Sequence, residues 1–232
     1  MRFPSPLRRG ILLKRYRRFL ADVRLADGTT VTAHCPNSGT LRGCSEPASV
    51  VLLSDSGGQS RRHPLTWEIT ELPTGSVCIN SALCRRLMID AVESRSIPSL
   101  AFFHELQRDA ESGLHGTVDI LLHGMEHNGY VNLYGATWAE GETALFPDAQ
   151  SRKAVASLRR LTGLAGQGHR ATAFFLVQRG DCRLFKPAEA VDRDFMKAML
   201  AAQSAGVELL VYGTAVSPAG ITLGAPLPLS LA

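Results

Sequence analysis

The chain has 232 residues, of which 45% are hydrophobic and 20% charged, a balance that supports one large or two small folded domains and excludes disorder. Its longest apolar runs, such as the one around Val50-Val51-Leu52-Leu53, fall far short of the roughly 20 residues that cross a bilayer, so no membrane is expected. The net charge of +4 is unevenly placed: Arg2, Arg8, Arg9, Lys14, Arg15, Arg17 and Arg18 lie in the first 20 residues without an acid, and removing those seven from 25 basic residues leaves 18 against 21 acids. A concentrated positive end points to an anionic partner.

That end is Arg-rich like a targeting peptide, but its only apolar block is Ile11-Leu12-Leu13, where a secretory core needs roughly 7 to 15 residues. A cytoplasmic protein is expected. The five cysteines, Cys35, Cys44, Cys78, Cys84 and Cys182, form no CxxC pair and read as buried free thiols in a reducing compartment. Only four of the basic residues are lysines, Lys14, Lys153, Lys186 and Lys197.

In chain order, Tyr16 to Leu25 and Thr29 to Cys35 read as two strands joined at Asp27-Gly28, a hairpin signal. Val50 to Leu53, Leu65 to Leu72 and Ser76 to Ile79 add three more, separated by a Ser/Gly-rich turn and a Pro-Thr-Gly turn. Five short strands predict a closed barrel of the OB type, with a sandwich fragment as the competing architecture. After Asn80 the period becomes helical, with Leu83, Leu87, Met88 and Ala91 on one face, and stops before Pro98. Val118 to Leu122 and Tyr130 to Leu133 read as a strand pair with Gly129 in the turn. Asp148 is the expected cap of a helix reaching about Leu161, with Ala154, Val155, Leu158 and Leu161 facing inward. A buried strand at Ala171 to Val177, a helix at 194–205 and a strand at Val207 to Tyr212 complete an α/β sandwich with a mixed sheet. The expected division is residues 1–81 and 82–232.

Four constellations carry chemistry. In Lys14-Arg15-Tyr16-Arg17-Arg18-Phe19 a strand would place Arg15, Arg17 and Phe19 on one face, and cations beside rings suit nucleic acid, where charge holds the backbone and rings stack bases; a solvated barrel strand is the alternative. His34-Cys35-Pro36-Asn37-Ser38-Gly39-Thr40 offers no nucleophile pair, because adjacent strand residues point to opposite faces, but its Pro-Asn-Ser-Gly loop has backbone and side-chain donors suited to a phosphate. With Arg42 nearby, the nucleic-acid-binding candidates are Lys14, Arg15, Tyr16, Arg17, Arg18, Asn37, Ser38 and Arg42. The turn at His123-Gly124-Met125-Glu126-His127 lacks zinc-ligand spacing. Asp119, an acid among apolar strand neighbours, must be paired or hold a metal. In magnesium nucleases an Asp on one strand and a Glu-x-Lys on the next gather metal and water at the phosphate; here that next strand has Asn132 and Tyr134 instead.

These residues together resemble one family. Arg15-Tyr16-Arg17-Arg18-Phe19-Leu20-Ala21-Asp22-Val23, His34-Cys35-Pro36-Asn37-Ser38-Gly39, Thr66-Trp67-Glu68, Asn80, Phe146-Pro147-Asp148-Ala149 and Pro226-Leu227-Pro228-Leu229 look like the sugar fermentation stimulation protein (SfsA) family, in order along the whole chain. The resemblance implies an N-terminal OB-like domain, a C-terminal domain of the PD-(D/E)xK nuclease type, DNA binding without strong sequence preference, a bacterial cytoplasmic setting and a tie to sugar-metabolism genes. It maps the metal-binding Asp onto Asp119, the end of the next motif onto Thr137 and Glu140, and a Thr-x-Arg-Gly segment onto Ser151-Arg152-Lys153-Ala154. The family's helical Glu has Glu105 and Glu111 as nearest candidates.

Losing Glu and Lys together removes a hard anionic oxygen ligand and a phosphate-polarising cation. The expectation is a degenerate nuclease fold, inactive or weak, that still binds DNA or RNA. Two alternatives stay open: an active Mg2+- or Mn2+-dependent nuclease with a migrated site of Asp119, Glu140 and Lys153, and a non-catalytic regulator that binds a small molecule or a protein.

Overall fold

The basic N-terminal segment is a hairpin and not a single strand. In the computed structural model, which describes residues 1–3, 6–55, 63–113 and 116–231, β1 (Arg8–Tyr16) pairs antiparallel with β2 (Leu20–Leu25), and Tyr16 faces Leu20 across the turn. Reversing the chain in three residues puts Arg17 and Arg18 in the left-handed region, at φ 49° and 66°. The alternation expected from Lys14 to Phe19 therefore stops at Tyr16. The second hairpin matches expectation: β3 (Thr30–His34) returns along β2 after a turn in which Gly28 has φ 85° and Asp27 Oδ1 accepts from the Thr29 amide at 2.9 Å.

β4 (Val50–Asp55), β5 (Leu65–Leu72) and β6 (Gly75–Cys78) complete a sheet of order β3-β2-β1-β4-β5-β6, and a parallel bridge between His34 and Thr66 joins β3 to β5. The first five strands thus close into an OB barrel around Leu12, Val23, Leu53 and Trp67, all fully buried. Its five strands differ from those read in the sequence: β1 is masked by its arginines, and β6 lies outside the closure. The Ser/Gly-rich turn expected between β4 and β5 falls outside the described residues.

Past Asn80 the chain enters α1 (Ser81–Glu93), whose first turn is capped by the Asn80 side chain accepting from the Leu83 amide at 3.1 Å. Glu68, 3% exposed, anchors this junction: one carboxylate oxygen accepts from Asn80 Nδ2 at 2.7 Å and the other from Ser54 Oγ at 2.6 Å. There follow β7 (Phe103–Glu111), β8 (Thr117–Gly124), β9 (Gly129–Ala136), β10 (Trp138–Glu140), β11 (Thr143–Phe146), α2 (Arg152–Gly166), β12 (Arg170–Val177), β13 (Leu184–Pro187), α3 (Arg193–Ser204), β14 (Glu208–Ser217) and β15 (Gly220–Pro226).

The large sheet has order β15-β14-β12-β9-β8-β7, with β9, β12 and β14 parallel and antiparallel pairs at both edges, and a small sheet runs β10-β11-β13. One core packs α2 and α3 on one face, through Leu158, Leu161, Phe195 and Met199, and a second packs α1 on the other, through Met88 and Val92. This is the expected α/β sandwich with a mixed sheet. β7, β10, β11, β13 and β15 escaped the sequence reading because they are short or sit at sheet edges, where burial imposes little pattern.

Two local expectations change. α2 is capped by Ser151, whose hydroxyl accepts from the Ala154 amide at 3.2 Å, and not by Asp148; the predicted inner face of Ala154, Val155, Leu158 and Leu161 is buried as expected. Gly129 opens β9 instead of standing in the turn. All five cysteines are free and buried. Burial pushes the Cys44 thiol up to about 11 and that of Cys182 to about 12, so both stay protonated and unreactive at neutral pH. Among the described residues no helix is long and apolar enough to cross a membrane.

Candidate site in the cleft between the barrel and the sandwich

The loop after β3 is fastened from three directions. From β1, the Arg15 guanidinium donates to the backbone oxygens of Arg18, Asn37, Gly39 and Thr40 at 2.6 to 3.0 Å. From the start of α1, the Ile79 carbonyl accepts from Asn37 Nδ2 at 3.0 Å, and Ser81 Oγ donates to the Pro36 carbonyl at 2.7 Å. From the sandwich, Asp148 Oδ2 accepts from the Leu41 amide at 2.9 Å and its carbonyl from Thr40 Oγ1 at 3.1 Å. Gly39 fits closely there, since a Cβ would stand 3.1 Å from Asp148 Oδ2 and from Asn37 Oδ1. Asp148 is thus a clamp between domains.

This loop forms one wall of a cleft. A cavity of about 560 Å³ runs from Arg15 and Arg18 past Asn37, Ser38 and Phe146 to Ser151. A second, of about 530 Å³, shares Asn37, Ser38, Gly135, Phe146 and Ser151 with it and reaches Arg85, Asp119, Lys153 and Gln178. The tertiary fold therefore joins the basic turn to the acid of β8, 101 positions apart in the chain between Arg18 and Asp119.

Asp119 is paired. Its Oδ2 accepts from the Leu133 amide at 2.7 Å and its Oδ1 from Arg85 Nη2 at 3.1 Å, a guanidinium that also reaches Asp109 at 2.6 Å. Asn132 and Tyr134, two apart on β9, point to the same side and meet α2. The Asn132 carbonyl oxygen accepts from the Asp119 amide at 3.2 Å, its Nδ2 donates to the Ser157 carbonyl at 3.4 Å, and Tyr134 shares a 2.8 Å hydrogen bond with Ser157 Oγ. The Tyr134 ring stacks on Phe175 at 4.7 Å and meets Phe146 edge-on; burial raises its hydroxyl well above the ordinary tyrosine range.

A divalent cation wants several anionic oxygens facing one point. Here Asp119 is the one carboxylate at its end of the cleft and has both oxygens engaged, Asp148 at the other end is committed to the Leu41 amide, the amide at 132 is turned onto the backbone, and among the described residues no three His, Cys, Asp or Glu side chains gather. These residues do not fit Mg2+ or Mn2+.

The predicted site residues separate into groups. Arg15, Arg18, Asn37 and Ser38 line the cleft, with Asp119 and Lys153 at its far end. Arg17 is exposed beside Arg18, and Phe19 is 54% exposed. Lys14 lies 3.4 Å from Asp22 and over the Tyr16 ring, whose hydroxyl donates to Asp22 at 3.0 Å, so this trio is knit along the hairpin. Arg42 stacks at 4.4 Å over Trp138 of the sandwich. Glu140, the exposed last residue of β10, is not among the cleft-lining residues and is not brought to Asp119. Glu105 and Glu111 lie on β7, a strand, so neither matches a helical Glu. Two cleft residues were missed, Arg85 and Gln178. The only sequence signal for Arg85 was its position one helical turn beyond the Asn80 cap on the polar side of α1; Gln178, following an apolar strand, gave none.

Models of known families match both parts of the chain: one of the SfsA N-terminal OB domain over residues 13–79, and one of the sugar fermentation stimulation protein RE domain over residues 82–220. Relatives named sugar fermentation stimulation protein homolog include one from Pelobacter propionicus, 42% identical over 231 residues and 100% of both chains, and one from Geobacter sulfurreducens, 42% identical over 228 residues and 98% of both. The solved structure of Pyrococcus furiosus SfsA in complex with Ca2+ superposes with a TM-score of 0.90 at 24% identity, covering 99% of this chain and 98% of that one, which shows a shared fold.

Proposed function

The chain belongs to the sugar fermentation stimulation protein family, and from that premise we propose that it is a cytoplasmic protein that binds DNA or RNA without sequence preference and uses its nuclease-like half as a non-cleaving wall of the binding cleft. The observation that carries this reading is the β1–β2 turn. Arg17, Arg18 and Phe19 stand exposed on this turn, Arg18 lines the cleft, and among the described residues neither arginine has an acidic partner. A cation pair beside an exposed ring is the arrangement that holds a phosphate backbone while a base stacks, each stacked base contributing about 1–3 kcal/mol.

In this reading Arg17, Arg18 and Phe19 make the contacts and Asn37 and Ser38 continue the path, while Arg15 and Lys14 keep their own partners and hold the surface in shape. Cleavage is absent because Asp119 is neutralised by Arg85 and faces no second acid. The Ca2+ of the Pyrococcus furiosus complex belongs to that protein, and nothing about metal binding carries over to this chain, whose cleft carboxylates Asp119 and Asp148 are already engaged. A regulatory effect on sugar-metabolism genes would follow from DNA binding.

Fluorescence anisotropy with single- and double-stranded DNA tests the reading. Affinity is expected to fall linearly in log salt, by about 0.7–0.9 in slope per phosphate neutralised; no binding at ~50 mM salt, where phosphate contacts count most, sinks it. Lys153 in the same cleft as Asp119 favours a second reading, in which a migrated site cleaves nucleic acid. Cleavage of labelled DNA or RNA with Mg2+ or Mn2+, abolished by Asp119→Ala, would establish that reading over the first.

A further inference from the structure

Two helices open onto the Asp119 end of the cleft. Ser81 and Ala82 begin α1, Ser151, Lys153 and Ala154 begin α2, and all five line the same cavity. Neither helix carries an acid in its first turn. Each N-terminus presents about half a positive charge. The caps engage the Leu83 and Ala154 amides, while helix geometry leaves those of Ala82, Arg152 and Lys153 without an intrahelical acceptor. Lys153 and Arg85 add two full charges against the single carboxylate of Asp119; Asp109, the other partner of Arg85, stands in solvent with its side chain 74% exposed. The buried acids Glu68 and Asp192 lie behind the two caps and do not line the cavity.

A second observation is independent of charge. Gln178 is 2% exposed, lines this cavity, and its Oε1 has no hydrogen-bond partner, the single such buried side-chain atom among the described residues. An orphaned buried acceptor costs about 1–3 kcal/mol, and Gly135 makes the space that this side chain occupies, since a Cβ there would stand 2.1 Å from Gln178 Nε2. A ligand that brings a hydroxyl would satisfy the atom.

We propose that this end of the cleft binds a phosphomonoester. Donors converge from the α1 terminus, from the α2 terminus with Lys153, and from Arg85, which matches three terminal oxygens carrying about −1.5 to −2 at neutral pH; a diester offers only two such oxygens and one charge. The Gln178 carbonyl accepts from a hydroxyl on the ligand or from the protonated phosphate. The cation and the helix ends thus occupy the place where a nuclease would hold a metal ion. The ligand is either the 5′-phosphorylated end of a nucleic acid or a free small phosphomonoester. The site does not depend on backbone binding by the β1–β2 turn.

The test uses the full chain, titrated calorimetrically with inorganic phosphate, beside anisotropy on one oligonucleotide carrying either a 5′-phosphate or a 5′-hydroxyl. Phosphate should bind, and Lys153→Gln, on an exposed side chain, should weaken it about tenfold, as expected for losing one charge-assisted hydrogen bond. A preference for the 5′-phosphate that Lys153→Gln removes identifies a nucleic-acid end as the source; phosphate binding without that preference identifies a small phosphomonoester. No phosphate binding up to about 10 mM, a range that covers any affinity of use to a cell, overturns the proposal. Equal binding by wild type, Lys153→Gln and Arg85→Gln also overturns it. Binding of the 5′-hydroxyl oligonucleotide reads the β1–β2 turn separately, so either idea can fail alone.

Discussion

On the barrel wall of the cleft the loop at 36–41 is fixed by bonds to its backbone, leaving the cations at the β1–β2 turn turned to water. On the sandwich wall the residues at the former nuclease positions are held internally: Arg85 holds Asp119, Asn132 holds the Asp119 amide, and Tyr134 sits in an aromatic cluster against Ser157. The contrast teaches that charge on a surface acts on a partner only when the fold leaves it uncompensated. The barrel wall keeps the positive charge of its turn available, and the sandwich wall engages its carboxylates, Asp119 with Arg85 and Asp148 with the Leu41 amide.

The hardest test of that contrast is to put charge back on the sandwich wall. Tyr134→Lys, alone or with Asn132→Glu, would bury an ammonium against Phe175 and Phe146 and is expected to cost about 3–5 kcal/mol, seen as a large drop in the urea midpoint. A double variant that stays as stable as wild type and binds Mg2+ would show that the site is merely waiting for its ligands. Asp148→Ala orphans the amide of the fully buried Leu41 and should cost about 1–3 kcal/mol. Asp148→Asn, which keeps an acceptor oxygen, should cost less; equal midpoints for all three proteins would mean that the clamp is idle.

A smaller effect concerns acid. Burial pushes Asp181 up, but the bidentate bond to Arg179 and that of Thr74 outweigh it and hold its pKa below the ordinary carboxylate value. A depressed folded pKa contributes stability above the unfolded value of about 3.9 and loses it as pH falls through the folded value. Thermal melts should therefore show wild type above Asp181→Asn at pH 7 and the two converging below about pH 4; a constant gap would assign the difference to packing. Smallest in stability is Arg18→Ala, within about 0.5 kcal/mol of wild type as for an exposed side chain, yet it should lower the salt slope of DNA binding by about 0.7–0.9. An unchanged slope would move the contact away from this turn.

Elements with long apolar periods were legible in the sequence. α2 announced its inner face, β12 read as covered on both sides, and Asp119 stood out as an acid among apolar neighbours. β1 did not, because its arginines hide an alternation in which only Gly10 and Leu12 are buried. The role of Asp148 was misread for a related reason: a carboxylate near a helix start has the composition of a cap, and only the position of Leu41, 107 residues earlier, shows what it binds. Arg85 reaches Asp119 across 34 residues, a distance over which periodicity carries no information.

By itself the sequence determined the barrel-then-sandwich order, the segregation of positive charge and the loss of Glu-x-Lys on β9, because these depend on residue type and local spacing. Tertiary structure alone decided that the basic turn and Asp119 share a cleft, that Arg85 pairs with the acid, that two helix ends face the same cavity and that Gln178 Oε1 is left without a partner there. Those are long-range juxtapositions, set by how the two domains dock through Asp148, Arg179 and the linker at Asn80, and no local pattern encodes them.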